Sequence, residues 1–273
     1  MEKIIRTCCQ SSHCECGVLV HVTDGKVTKI AADPQHPFTR GFICVKAQAQ
    51  PEALYHPDRL KYPLRRAGER GSGKWERISW EEALQGIAAK LGQVKETYAP
   101  ESFASIHGTG PRSSTAATTL LAHALGSPNV ISTDLHICYA PSALVGVCTF
   151  GHSVMMEVGP DYLAANCILV WGANPLASHG PRGRDILEAK KRGAKLIVVD
   201  PRLIPLARQA DLWLQVRPGT DAALALGIIH ILIEEELYDK DFVRNWCHGF
   251  EQLKERAKPY TPEKVAEITW VPV

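Results

Sequence analysis

Two stretches, "CILVWGANP" from Cys167 and "KLIVVDPR" from Lys195, limit the folds open to this chain more than any other feature. Each is a continuous apolar run rich in Val and Ile, without the polar alternation of a half-solvated strand, and each stops at a turn signal. Strands of that kind are buried on both faces. Between them "RDILEAKKRG" has helical spacing, and the alternation extends through "SFASIHG", "TAATTLLAHAL", "NVIST" and "DAALALGIIHILIEEELY". Strands and helices in alternation predict a doubly wound, mostly parallel α/β sheet over residues 79–257. It opens at "SWEEALQGIAAKLGQVKETY", where Ser79 and Glu82 have capping-box spacing and Ala83, Ile87 and Leu91 share a helical face.

Ahead of this domain, "GVLVHV" and "KVTKIAA" flank "TDG", the Asp-Gly signal of a tight hairpin, so a small β-rich unit is expected. From Asp33 to Arg77 the chain is rich in Pro, Gly, Arg and Lys and reads as loops and a linker. A boundary near Tyr55 gives two domains, residues 1–55 and 56–273.

At 273 residues the chain can bury a sizeable core, roughly three quarters of its unfolded surface, and needs no disulfides to fold. A net charge of +2 gives no field for nucleic acid. The longest apolar run, "AALALGIIHILI", falls short of the roughly 20 residues that span a bilayer, so no membrane insertion is expected. The start, "MEKIIRTCC", lacks a secretory apolar stretch, and the expected location is cytoplasmic. In a reducing compartment clustered cysteines are metal ligands or redox groups rather than disulfides.

Four of the nine cysteines stand in "TCCQSSHCECG", and Cys44 follows in "RGFICVKA". Zinc and iron-sulfur sites both use thiolates. Zinc pairs usually come as two short-spaced knuckles, whereas Cys44 stands alone behind the hairpin, which favours iron-sulfur. Cys8 and Cys9 are adjacent and point to opposite sides of an extended backbone, so one of them is a bystander.

The frame "TCC…CG", a hairpin, "DPQHPFTRGFIC" and Lys46 resembles the iron-sulfur module of the molybdopterin oxidoreductases, the dimethyl sulfoxide reductase group. Their pattern is C-x2-C-x3-C and a fourth cysteine roughly thirty residues on. The resemblance sets Cys9, Cys16 and Cys44 on the first, third and fourth positions of a [4Fe-4S] cluster. Ser12 occupies the second, and Cys14 is expected to take its place, with Ser12 and Cys8 as alternatives. Lys46 matches the lysine that helps electrons pass between cluster and pterin; otherwise it is a solvated surface lysine.

In "TDLHICYAPSALVG", Asp134, His136 and Cys138 alternate, which invites a Cys-His-Asp hydrolase reading. Alternate residues of a strand stand about 6.6 Å apart, too far for a chain of direct hydrogen bonds. Taken alone, Cys138 is a buried apolar cysteine. By the resemblance it is the ligand of molybdenum or tungsten, for which a thiolate is a suitably soft donor. Formate-oxidising members carry histidine directly after this ligand, and Tyr139 here counts against formate. Cys148, Cys167 and Cys247 lie in or beside apolar runs and are expected in the core, as is His230.

The loops after "CILVW" and "KLIVV" belong on one ligand edge, since doubly wound sheets bind ligands beyond the carboxyl ends of their strands. Asp200 can accept hydrogen bonds from a ribose, and Arg202 and Arg217 can meet phosphate; the alternative is a turn with an exposed acid and base. "VWGANP", "VVDPR" and "RPGTDAALALG" also resemble the guanine dinucleotide-binding segments of the same family. Carried over, Gly172, Asn174, Pro175, His179, Asp200, Arg202, Gly219 and Asp221 line the nucleotide arm of a bis-molybdopterin guanine dinucleotide. "HGTGPRSS" lacks the third glycine of a dinucleotide fingerprint and reads as a turn before a helix.

Together the resemblance implies an oxidoreductase with molybdenum or tungsten, catalytic Cys138, His13 and Lys46, a small-molecule substrate and a partner protein for electrons. Residues 1–55 then form the iron-sulfur module. Two alternatives stand beside it. One is hydration of an alkyne without net redox, as in a tungsten member that has an aspartate where His13 stands here. The other is a non-catalytic iron-sulfur electron-transfer subunit. Family members add several hundred residues, a second α/β half and a cap, so this chain is expected to be the N-terminal portion, binding the cofactor weakly by itself.

Overall fold

The structure, a computed structural model, describes residues 1–12, 14–108, 112–132, 139–152 and 160–273. These divide into two compact units. One holds residues 1–11, 18–31 and 45–152; the other holds 12, 14–17, 32–44 and 160–273.

β1 (Glu2–Cys8), β2 (Gly17–Thr23) and β3 (Lys26–Ala32), which but for Gly17 and Ala32 belong to the first unit, form an antiparallel sheet in that order. The predicted hairpin joins β2 to β3. Its tip, Asp24 (φ +50°) and Gly25 (φ +77°), has the two positive angles that a tight hairpin of this hand requires. Two short helices follow, α1 (Val45–Gln48) and α2 (Gln50–Tyr55), and the Val27 amide donates to Tyr55 Oη at 2.8 Å, tying α2 to β3. A small hairpin, β4 (Leu64–Arg66) with β5 (Trp75–Arg77), leads to α3 (Trp80–Tyr98).

Helix α3 starts where its capping box predicts. The Glu82 amide donates to Ser79 Oγ at 3.1 Å, and the Ser79 amide donates to Glu82 Oε2 at 2.9 Å. These bonds from Ser79 hold the Glu82 carboxyl below its ordinary value. The helix buries no residue, and Leu84 and Ile87 face outward. Strand β6 (Ser105–His107), α4 (Arg112–Leu125) and β7 (Val130–Ser132) make one parallel crossover with Ser105 opposite Val130, and α5 spans Tyr139–Phe150.

The second unit is built on β8 (Cys167–Trp171), α6 (Pro175–Ser178), α7 (Gly180–Lys191), β9 (Lys195–Val199) and β10 (Leu212–Leu214). Helices α8 (Asp221–Glu234), α9 (Lys240–Trp246), α10 (Phe250–Ala257) and α11 (Pro262–Thr269) complete it. The three strands are parallel in the order β10-β9-β8. Leu196 and Val198, two apart on β9, share one face and pack with Ile168, Val170, Ile186 of α7 and Leu206. Val199 faces the other way, into a cluster with Leu224 of α8 and Val265 of α11. Helices thus cover both faces of β9, as the continuous apolar runs require, and each fully buried Leu or Ile contributes about 1.5–3 kcal/mol.

The fold class is as expected, a small N-terminal sheet followed by parallel strands with helices; among the described residues the parallel strands lie in two sheets, β6-β7 and β10-β9-β8. Three expectations are corrected. Cys148, Cys167 and Cys247 are exposed, not core. Cys167 shows why: β8 alternates, turning Ile168 and Val170 inward and Cys167 and Leu169 outward, so an apolar run does not fix which face a member takes. His230 is only half-buried. Finally, the polar stretch from Asp33 is not all solvated linker, since Asp33 and Thr39 are buried, 2% and 0% exposed, because their polar atoms are satisfied internally. No helix among the described residues is long and apolar enough to cross a membrane.

Candidate functional site

In the second unit the parallel register lines up Trp171, Val199 and Leu214, the last residues of β8, β9 and β10. Their loops therefore leave the sheet side by side. The Gly172 amide donates to Val199 O at 2.9 Å and the Asp200 amide to Leu214 O at 3.3 Å, so the first residue of each loop is still fixed by the neighbouring strand. Gly172 (φ +57°) turns the chain sharply there, in a region that favours glycine. Asn174 then precedes Pro175, the buried first residue of α6. Among the described residues its Oδ1 is buried and without a hydrogen-bond partner. Such an atom is costly unless a donor completes it.

The remaining expected residues gather along the same edge or its flanking turns. Asp200 is 4% exposed and its Oδ1 accepts the Arg202 amide at 2.8 Å, while the exposed Arg202 guanidinium stands 3.7 Å from the same oxygen. His179, just before α7, has Nδ1 3.0 Å from Ser178 Oγ. Gly219 (φ +82°) shapes the turn into α8, whose first residue, Asp221, accepts from Trp171 Nε1 at 2.7 Å. The Arg217 amide donates to Thr269 O at 2.8 Å, and its guanidinium lies 5.4 Å from the Trp270 ring centre. Trp171 escaped the sequence reading: as part of an apolar run it carries no sign that its indole N–H turns outward to an acid.

The thiols of the N-terminal segment differ sharply in burial. Cys8 ends β1 exposed, and Cys9 is buried, as opposite-facing neighbours in an extended chain should be. Cys9, Cys14 and Cys16 are 6%, 7% and 5% exposed, and Cys44 is half-buried. All are free. Cys9 Sγ accepts the Ser11 amide at 3.4 Å and Gln50 Nε2 at 3.9 Å. In the second unit the Cys14 amide donates to Ser12 Oγ at 3.4 Å.

A loop from Asp33 to Gly41 folds back on the residue after Cys16. The Asp33 amide donates to Gly17 O at 3.0 Å, the Gly17 amide to Thr39 Oγ1 at 3.2 Å, and the Gly41 amide to Asp33 O at 3.1 Å. Asp33 therefore ties the neighbour of Cys16 to a residue three before Cys44. Only glycine fits at 17, where a Cβ would lie 2.4 Å from His36 Cβ. Helix α7 braces the loop. Arg184 Nη1 donates to Thr39 O at 2.9 Å, Arg40 Nη2 donates to Asp185 Oδ1 at 2.8 Å, and a Cβ at Gly180 would lie 2.5 Å from the Phe42 ring. Gly183, one turn on, lies instead against α6, where a Cβ would be 2.8 Å from Leu176 N.

Lys46 lies exposed in α1. Cys138, His13, Asp134 and His136 fall outside the described residues, as do residues 109–111 of "HGTGPRSS". Helix α5 begins at Tyr139, directly after Cys138. Among the described residues no three His, Cys, Asp or Glu side chains are gathered as a metal-holding set. The donors nevertheless suit a cluster by their chemistry: soft thiols, three of them shielded from water, with N–H groups aimed at one sulfur.

Comparison with known proteins gives a consistent picture. Residues 2–56 match the family model described as the molybdopterin oxidoreductase Fe4S4 domain, and residues 59–261 match that of molybdopterin oxidoreductase. The chain is 43% identical to the acetylene hydratase of Syntrophotalea acetylenica over 268 residues, which is 96% of this chain and 36% of that protein. It is 35% identical to a probable oxidoreductase of Bacillus subtilis, over 94% of this chain and 38% of the other. Its fold is similar to a solved acetylene hydratase from Pelobacter acetylenicus, with a TM-score of 0.78 and 40% identity, over 97% of this chain and 37% of that one. The chain thus spans somewhat over a third of the length of the curated relatives it matches.

Proposed function

This chain belongs to the molybdopterin oxidoreductase family, with its Fe4S4 domain, and from that premise we propose that it carries the cluster-binding and cofactor-binding segments of a molybdenum- or tungsten-dependent oxidoreductase. The cofactor is bis-molybdopterin guanine dinucleotide. The observation that carries this reading is the buried Oδ1 of Asn174, without a partner among the described residues and set beside Gly172 and Asp200 at the carboxyl ends of strands aligned in register. An acceptor placed there suits a donor on a bound nucleotide.

Each residue then has a role its chemistry suits. Gly172 and Gly219 let the backbone turn close to the pterin's nucleotide arm, and Pro175 fixes the direction of α6. Asn174, His179, Asp200 and Asp221 meet the polar edges of ribose and guanine, and the exposed Arg202 meets phosphate. Cys9, Cys14, Cys16 and Cys44 would hold the [4Fe-4S] cluster, and Lys46 would help electrons pass between cluster and pterin. Cys138 binds the metal as thiolate. When bound, the metal and pterin would supply two-electron chemistry on a small-molecule substrate, and the cluster would supply a one-electron relay toward a partner protein. Reduced thiols for cluster assembly suit a cytoplasmic location.

The test is anaerobic purification of the full-length protein followed by elemental analysis for Fe, Zn, Mo and W. About four iron atoms with one Mo or W per chain is expected, with Cys138→Ala losing turnover while the cluster spectrum stays. Zinc in place of iron, or turnover unaffected by Cys138→Ala, overturns the reading.

A second reading, hydration without net redox, is supported by the 43% identity to acetylene hydratase. There His13 would stand where the proton is handled near the metal. Acetaldehyde formed from acetylene and water, with no electron acceptor present, would establish it.

A further inference from the structure

We propose that Gln50 is a positioning residue that raises the reduction potential of the iron-sulfur site through its side-chain N–H bond to Cys9 sulfur. This rests on the reading of Cys9 as a cluster ligand. Gln50 is the first residue of α2, and its Nε2 donates both to Ser11 Oγ at 2.5 Å and to Cys9 Sγ at 3.9 Å. The Ser11 amide donates to the same sulfur at 3.4 Å. One thiol therefore collects two N–H groups, and a third bond links the two donors.

The amide is held in place. Helix α2 is pinned at its far end by the Val27 amide bound to Tyr55 Oη, and Gln50 itself borders an apolar cleft lined by Val20, Val27, Ile30 and Leu54. Beside such low-polarity walls a dipole acts on a charge more strongly than in water. An iron-bound thiolate is an acceptor only, so it selects the amide orientation with nitrogen toward sulfur.

The direction of the effect follows. Reduction adds one negative charge, which a donor aimed at the sulfur stabilises, so N–H bonds to cluster sulfurs raise the potential. Removing the Gln50 donor should change the reduced-to-oxidised ratio at fixed potential about tenfold toward oxidised, or about 59 mV for one electron.

The experiment compares wild type, Gln50→Leu and Gln50→Glu as full-length anaerobic protein, reading iron content and the EPR-monitored midpoint of dithionite reduction. Dithionite supplies one electron per cluster, and no bond is made or broken. Four irons retained with the midpoint lowered in Gln50→Leu, and lowered further by the carboxylate of Gln50→Glu, supports the proposal. Retained iron with an unmoved midpoint overturns it, and so does loss of iron from both variants, which makes Gln50 structural; if only Gln50→Leu loses iron, the isosteric Gln50→Glu decides. Wild type without iron overturns instead the cluster reading on which the proposal stands.

Discussion

Trp171 and Asp221, fifty positions apart, are joined by an indole N–H donated to a carboxylate oxygen at 2.7 Å. The bond ties the end of β8 to the first turn of α8, and so closes the edge on which Gly172, Asn174 and Asp200 lie. Asp221 also suits that position, since an acid in the first turn complements the helix dipole.

Trp171→Phe keeps an aromatic ring on the half-buried face but removes the donor. Because Asp221 is exposed, the expected loss is at the low end for a hydrogen bond, about 0.5 kcal/mol, read as a small fall in the urea midpoint. Trp171→Ala should cost several times more by removing the packing on Val199 as well.

Asp211 offers a pH test. Its carboxyl accepts Lys190 Nζ at 2.8 Å and the Leu196 amide at 2.7 Å, which hold its pKa below the ordinary carboxylate value, the Lys190 bond first. A lowered folded value contributes stability above the unfolded value of about 3.9, lost as pH falls through the folded one. The gap in urea midpoint between wild type and Asp211→Asn should therefore be full at pH 6–7 and close at acid pH, below roughly 4. A gap that widens on acidification would contradict the assignment.

Gly17→Ala places a methyl 2.4 Å from His36 Cβ and 2.5 Å from its Cγ. Overpacking of this kind costs about 1–3 kcal/mol, and since Gly17 anchors the loop leading to Cys44, iron content should fall as well. His36→Ala in the same chain removes the ring but not Cβ, so the double variant should recover only part of the loss.

Serine substitution sorts the thiols. Cys9→Ser, Cys14→Ser, Cys16→Ser and Cys44→Ser should each lower iron per chain in the anaerobic full-length protein, whereas Cys8→Ser, at an exposed strand end, should leave it unchanged. Iron retained in Cys14→Ser and lost in Ser12→Ala would hand the second ligand position to Ser12.

What could be read beforehand was whatever the local chain decides. The Ser79 capping box, the Asp24-Gly25 turn and the buried strands β8 and β9 announce themselves within a few residues. The shared edge of Gly172 and Asp200 followed from a general property of parallel sheets. Relations between distant segments did not show. Asp33 and Thr39 look like solvated loop until Gly17 is found bonded to both, and Arg184 looks like any helix arginine until Thr39 O is found in front of it. Strand β10, only three residues long, is too short to carry a periodicity.

The order β10-β9-β8 also governs how the second sheet is made. Each strand pairs with the one synthesised just before it, Lys195 meeting Cys167 and Leu212 meeting Ile197, so none has to be threaded between two already in place. The sheet can be laid down strand by strand as the chain leaves the ribosome, with loop closures of some fifteen to thirty residues that keep the entropic barrier to each addition modest.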